Sequence, residues 1–165
     1  MIELLTRVHV SLADIDGREP LAEATGLVSV GSDCHGRPAR LTPETAVAWS
    51  ALLAAARDDG VGLQLVSGYR SYEQQARIWE RKLRAGQTPG EIRRVVAVPG
   101  FSQHHTGRAL DIGTPGYTDL TEQFAGTRAF HWLTERAPAF GFSMPYTRDN
   151  TLGIAYEPWH WFFTE

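Results

Sequence analysis

Only one cysteine, Cys34, occurs in the 165 residues. A single thiol excludes an internal disulfide and any zinc site built from several cysteines. Missing too is any stretch approaching the roughly 20 apolar residues that a membrane span needs. The first ten residues interrupt their apolar side chains with Glu3 and Arg7, unlike the continuous apolar stretch of a signal peptide. As written the sequence is expected to be cytoplasmic, or exported if a targeting segment is absent from it. There is no excess of positive charge: 16 Lys and Arg against 19 Asp and Glu leave a net charge of -3. Nucleic acid is therefore not an expected partner. Repeats, low-complexity tracts and long linkers are also lacking. What remains is an ordinary globular composition, 42% hydrophobic and 21% charged, long enough to bury a sizeable core. A single domain over 1–165 and a monomer are expected.

Several elements announce themselves locally. Thr42-Pro43-Glu44 gives an N-cap, a first-turn proline and a first-turn acid, and Gly60 closes that helix, whose Val47, Trp49, Leu52, Leu53 and Ala56 are read as the buried face. Ser71 with Gln74, and Thr88 with Glu91, have capping-box spacing and open two more helices, the first ended by Gly86. Thr127 caps a helix containing Phe130, Trp132 and Leu133. Strands are expected over residues 3 to 12, at Leu27–Val30, over Val61–Val66, in Gly153–Tyr156 and in Trp161–Phe163. Polar turns are read at Asp14–Arg18, at Asp33-Cys34-His35-Gly36 and at Arg148–Asn150. The basic residues Arg81, Lys82, Arg84, Arg93 and Arg94 are read as a solvated face.

The chemistry concentrates in Ser102-Gln-His-His-Thr-Gly-Arg-Ala-Leu-Asp111 and Glu157-Pro-Trp-His160. His104, Asp111 and His160 make a three-ligand set suited to one zinc ion, and a catalytic zinc keeps a fourth position open. Gly107 offers a bend after His104. The alternation that follows places Ala109, Asp111 and Gly113 on one face of a strand and Leu110 and Ile112 on the other. Splitting an amide also needs a group that takes a proton from water and returns it to the leaving amine; Glu157 is the candidate. Pro158 biases Glu157 towards extended backbone, so this is not the helical H-E-x-x-H arrangement. Isolated histidines (His9, His35, His131) are read as structural or surface. His105 is kept out of the ligand set because adjacent imidazoles align poorly on one ion. Ser102 lacks the G-x-S-x-G setting of a hydrolase nucleophile and is read as a substrate hydrogen-bonding group.

These motifs resemble the zinc D-alanyl-D-alanine carboxypeptidases and dipeptidases of the M15 metallopeptidases, and Tyr156-Glu-Pro-Trp-His160 is similar to the VanY-like carboxypeptidase branch. Ser67-Gly-Tyr-Arg-Ser71, with Gln75 following, is similar to the family's upstream arginine motif, and the match covers about 63–165. Gln103 departs from the pattern, standing where that branch often carries an acid. The resemblance implies an α+β fold of the Hedgehog/DD-peptidase type, with a central antiparallel sheet and packed helices. It implies one Zn2+ per chain and cleavage of the terminal D-amino acid from peptidoglycan stem peptides or D-Ala-D-Ala-containing peptides. Arg70 would assist catalysis, serving either the oxyanion or the terminal carboxylate, while Ser102 and Gln75 seat the substrate. Three alternatives remain open: an L,D-carboxypeptidase, a D-Ala-D-Ala dipeptidase, and a non-catalytic zinc domain that binds wall peptides or a partner.

Overall fold

Local capping decides where most of the α-helices of the computed structural model begin; the structure describes residues 1–15 and 19–164. In chain order the elements are α1 (Ile2–Arg7), β1 (Val28–Ser32), β2 (Pro38–Leu41), α2 (Pro43–Asp58), β3 (Gln64–Ser67), α3 (Tyr72–Arg84), α4 (Pro89–Arg93), β4 (Ala109–Gly113), α5 (Arg128–Arg136), β5 (Phe142–Ser143) and β6 (His160–Phe163), with short 3-10 turns between some of them. Thr42, Ser71, Thr88 and Thr127 each accept a backbone N–H in the first turn of α2, α3, α4 and α5, and the Ser71/Gln74 and Thr88/Glu91 boxes are reciprocal. Each cap satisfies a donor that the helix itself leaves unpaired.

The site-bearing sheet is antiparallel, in the order β3-β4-β6-β5, and a separate hairpin joins β1 to β2. Along β4 the two faces do different work. Leu110 and Ile112 enter a core shared with Trp49, Leu52 and Ala56 of α2, Leu133 of α5, and Trp161 and Phe163 of β6. Asp111 points the other way. A second cluster, with Leu5, Val8 and Val10 against Ala76, Trp79 and Ile92, seats α1 and α4 on α3. The antiparallel sheet with packed helices is the expected fold class.

Three local expectations are corrected. Residues 2–7 form a helix, not a strand: Leu5 and Val8, three apart, are the buried residues, and Arg7 pairs with Glu73 and Glu80 of α3. Gly153–Tyr156 is not a strand, because its backbone bonds go elsewhere. Ala155 N–H donates to Arg94 O, the Ile154 carbonyl accepts from the Asn150 side chain, and Gly153 has φ 74. Val47 is 72% exposed, so the buried stripe of α2 is narrower than predicted. Asp14 and Ile15 lie in a 3-10 turn, while Asp16, Gly17 and Arg18 of the predicted polar turn fall outside the described residues. Cys34 does occupy a turn, at the tip of the β1–β2 hairpin. Burial and the neighbouring Asp33 push its thiol up, away from a reactive thiolate. Among the described residues no helix is long and apolar enough to cross a membrane.

Candidate active site

Three chain segments meet at one buried point. Ser102 caps the 3-10 turn Gln103–Thr106, which ends at Gly107 with φ 68, where an added Cβ would lie 2.7 Å from Leu27. Glycine alone fits both that backbone angle and that contact, and the turn holds His104 inward. Asp111 stands mid-strand on β4, opposite Ser67 of β3 and His160 of β6. His160 opens β6 after a tight turn in which its own N–H donates to Glu157 O and Trp161 Nε1 donates to Pro158 O.

Asp111 Oδ1 lies 3.3 Å from His104 Nε2 and 3.1 Å from His160 Nδ1, and one donor atom from each of the three residues lies within 4.8 Å of the others. All three are at most 3% exposed. His104 Nδ1 sits 2.7 Å from the Gly68 carbonyl, which can only accept, so the ring proton belongs on Nδ1 and Nε2 is bare. That Nε2 has no hydrogen-bond partner. A buried, bare ring nitrogen aimed at a carboxylate and a second imidazole fits a divalent ion of the zinc type. His105, by contrast, is fully used: Nδ1 faces Arg70 O at 2.7 Å and Nε2 accepts from Gly100 N–H at 3.1 Å. It braces the loop and offers no ligand atom.

All seven residues singled out in the sequence line one cavity of about 540 Å³: Arg70, Gln75, Ser102, His104, Asp111, Glu157 and His160. Arg70 Nη2 lies 3.7 Å from Asp111 Oδ2, and its Nε is buried without a partner. Gln75 donates its amide to Ala97 O at 2.7 Å, which leaves its own carbonyl oxygen buried and unpartnered. Ser102 Oγ accepts from His104 N–H at 3.4 Å, so its first task is the turn. Among the lining residues that sequence reasoning gave no site role, three stand out. Tyr146 stacks on His160 with ring centroids 4.6 Å apart, and Trp159 lines the same cavity. Arg37 reaches the rim from the hairpin, held by Asp33 Oδ2 at 2.6 Å and Val66 O at 2.9 Å. Only the short Asp33–Arg37 spacing hinted at this.

The electrostatics divide the acids. Burial pushes Asp111 up, but His104, His160 and Arg70 outweigh it and hold the carboxyl well below the usual carboxylate range. Burial, then the Arg70 charge, lowers His104 to about 4, so it is neutral at physiological pH. Glu157 goes the other way: burial first, and the Asp111 charge second, raise it to about 8 against the opposing pull of Arg70. Two carboxyls whose environments drive them apart are the pattern of an acid–base site.

A stability prediction follows for the metal-free protein. Folded Glu157 keeps a proton up to about 8 that the unfolded chain releases near 4.5, so its contribution favours folding at low pH and is lost as pH rises through about 8. His104 acts with the opposite sign, but only between about 4 and 6.5. Between pH 6.5 and 8, chelator-treated protein is therefore expected to lose stability with rising pH, by at most about 1.4 kcal/mol per pH unit. Urea titrations across that window check it, and Glu157→Gln flattens the slope. An unchanged slope in the variant assigns the titration to another group.

A sheet that brings two imidazoles and an acid to one buried point, with a carboxyl of raised pKa and a guanidinium beside them, defines a site that could hold one metal ion. Comparison with known proteins makes the class particular. The family model described as VanY, D-alanyl-D-alanine carboxypeptidase, matches residues 38–165, and the chain belongs to that family. A D-alanyl-D-alanine carboxypeptidase of Enterococcus faecalis (strain ATCC 700802 / V583) is 37% identical over 120 residues, covering 67% of this chain and 43% of the relative. The chain thus spans less than half of that relative's length. Among solved structures, the LdcB LD-carboxypeptidase matches with a TM-score of 0.75 at 30% identity, over 86% of this chain and 69% of that one. A mutant of the vancomycin-resistance D,D-pentapeptidase VanY in complex with Zn(II) matches with a TM-score of 0.70 at 28% identity, over 91% and 84%.

Proposed function

We propose that residues 1–165 form one zinc peptidase domain that acts as a D-alanyl-D-alanine carboxypeptidase, removing the terminal D-amino acid of peptidoglycan stem peptides. The observation that carries this reading is the bare, buried His104 Nε2 aimed at Asp111 and His160. It is supported by family membership and by the zinc in a relative of the same fold. In this reading His104, Asp111 and His160 hold one zinc ion. Bound zinc supplies Lewis acidity, polarising an oxygen brought to it and lowering the pKa of water.

The remaining roles belong to the chain. Glu157 takes a proton from the attacking water and delivers it to the leaving amine. Its high pKa reflects burial first and the negative charge of Asp111 second, and a bound cation would offset the second. Arg70 is fixed by its backbone N–H on His104 O and carries a free Nε, so it is placed to meet negative charge on the substrate, on the carbonyl oxygen or on the terminal carboxylate. Gln75 keeps an unpartnered carbonyl oxygen, an acceptor that suits a substrate N–H. Ser102, anchored to the turn, adds a hydroxyl.

A second reading, the L,D-carboxypeptidase, is favoured by the match to LdcB at a TM-score of 0.75. Mass analysis of products from a pentapeptide ending in D-Ala-D-Ala, a tetrapeptide ending in one D-Ala, and free D-Ala-D-Ala separates the readings. The pentapeptide is expected to lose one residue, and a chelator to stop the reaction. Preferential cleavage of the tetrapeptide gives the L,D reading, and of the free dipeptide a dipeptidase. No product from any of them, with zinc bound, leaves the non-catalytic zinc domain.

A further inference from the structure

We propose that Gln103 is a positioning residue for the metal site: its side-chain carbonyl accepts the Nε2 proton of His160 and thereby leaves Nδ1 of that ring bare, facing Asp111. The proposal rests on the metal reading above and deepens it.

A neutral imidazole carries its proton on one nitrogen and its lone pair on the other, so a ligand histidine must be told which is which. His104 is told by the backbone, through Gly68 O. Among the described residues no backbone group bonds the His160 ring in this way. Its Nε2 lies 2.9 Å from Gln103 Oε1 and its Nδ1 lies 3.1 Å from Asp111 Oδ1. This matters because the second contact is a trap. A carboxylate oxygen at that distance is a strong acceptor. The tautomer with its proton on Nδ1 would hydrogen-bond to Asp111 and offer an ion nothing. Gln103 gives the productive tautomer a bond of its own and so competes for the proton from the far side of the ring.

Packing does not decide between the two tautomers. The Tyr146 ring lies 4.6 Å from the His160 ring and His104 meets it edge-on at 5.0 Å. These contacts fix the plane of the imidazole and say nothing about where its proton sits. Gln103 is also the first residue of the 3-10 turn whose next residue is His104. One turn thus supplies one ligand and orients another 57 residues away from Gln103. Partners of this kind, one shell beyond the ligands, typically contribute 10- to 100-fold in metal affinity.

The test compares wild type, Gln103→Leu and Gln103→Glu, each stripped of metal and titrated with zinc against a chromophoric chelator, with folding checked by circular dichroism. The leucine variant, similar in size but without an acceptor, is expected to bind zinc about 10- to 100-fold more weakly. The glutamate variant restores an acceptor and binds at least as tightly as wild type. A second readout is the tautomer itself. Nitrogen-15 spectra of the metal-free proteins are expected to show a larger fraction of Nδ1-protonated His160 in the leucine variant than in wild type. A merely structural glutamine would lower thermal stability without moving that fraction. Wild-type zinc affinity in the leucine variant, an unchanged tautomer ratio, or a glutamate variant that binds more weakly than wild type overturns the proposal. The glutamate arm still decides the matter if the leucine variant does not fold. Failure of the wild-type protein itself to bind zinc overturns the underlying metal reading instead.

Discussion

Glu157→Gln is expected to keep zinc at one equivalent per chain while kcat falls about 1000-fold, within the 100- to 10,000-fold range of a general acid–base group and equivalent to about 4 kcal/mol of barrier. The substitution preserves the shape of a side chain that is 13% exposed and removes its capacity to carry a proton. Glu157 Oε2 lies 4.0 Å from His160 Nδ1, against 3.1 Å for Asp111 Oδ1, so it shares the cavity but stands farther from the ring than Asp111 does. Metal content by elemental analysis and turnover of the pentapeptide check the two halves separately. Undiminished turnover would assign the proton transfer to another residue; loss of zinc would make Glu157 a ligand.

His160→Ala should have the opposite signature, with zinc lost first and turnover lost because of it. The ring is 2% exposed and supplies one of three donor atoms. Its removal is expected to weaken zinc binding by more than the roughly 10- to 100-fold that follows from disturbing an outer partner. The strand itself should persist, since β6 pairs with β4 through backbone groups at Ala109↔Phe162 and Leu110↔Trp161 as well as at Asp111↔His160. Equilibrium zinc titration of the folded variant is the measurement, and stoichiometric zinc after dialysis would remove His160 from the ligand set.

How much of this was legible in the sequence depends on whether the information was local. The caps at Thr42, Ser71, Thr88 and Thr127 were readable because a hydroxyl and an N–H two or three residues on form a self-contained unit. The bend at Gly107 and the alternation through Asp111 were readable for the same reason. The motifs placed the ligand set and its neighbours in one cavity, although the roles drawn for Ser102 and Gln75 needed the structure to show what each already bonds. The errors share a cause. Residues 2–7 have no side-chain cap to mark a helix, and the conformation of both 2–7 and 153–156 follows from what they dock against, α3 in one case and the Arg94 carbonyl in the other. Nor does any spacing announce that Gln103 faces His160, because that contact is made by folding across 57 residues and not by sequence neighbours.

The alignment of Ser67, Asp111 and His160 across three neighbouring strands has a temporal consequence. Asp111 and His160 stand 49 residues apart in the chain, and pairings of that range form slowly, since the entropy of closing the intervening loop must be overcome before contacts compensate for it. A nascent polypeptide therefore has no partly competent stage. Until β6 has been synthesised and has zipped onto β4, His160 stands apart from Asp111, and the three-residue set proposed to hold the metal is assembled only with the sheet itself.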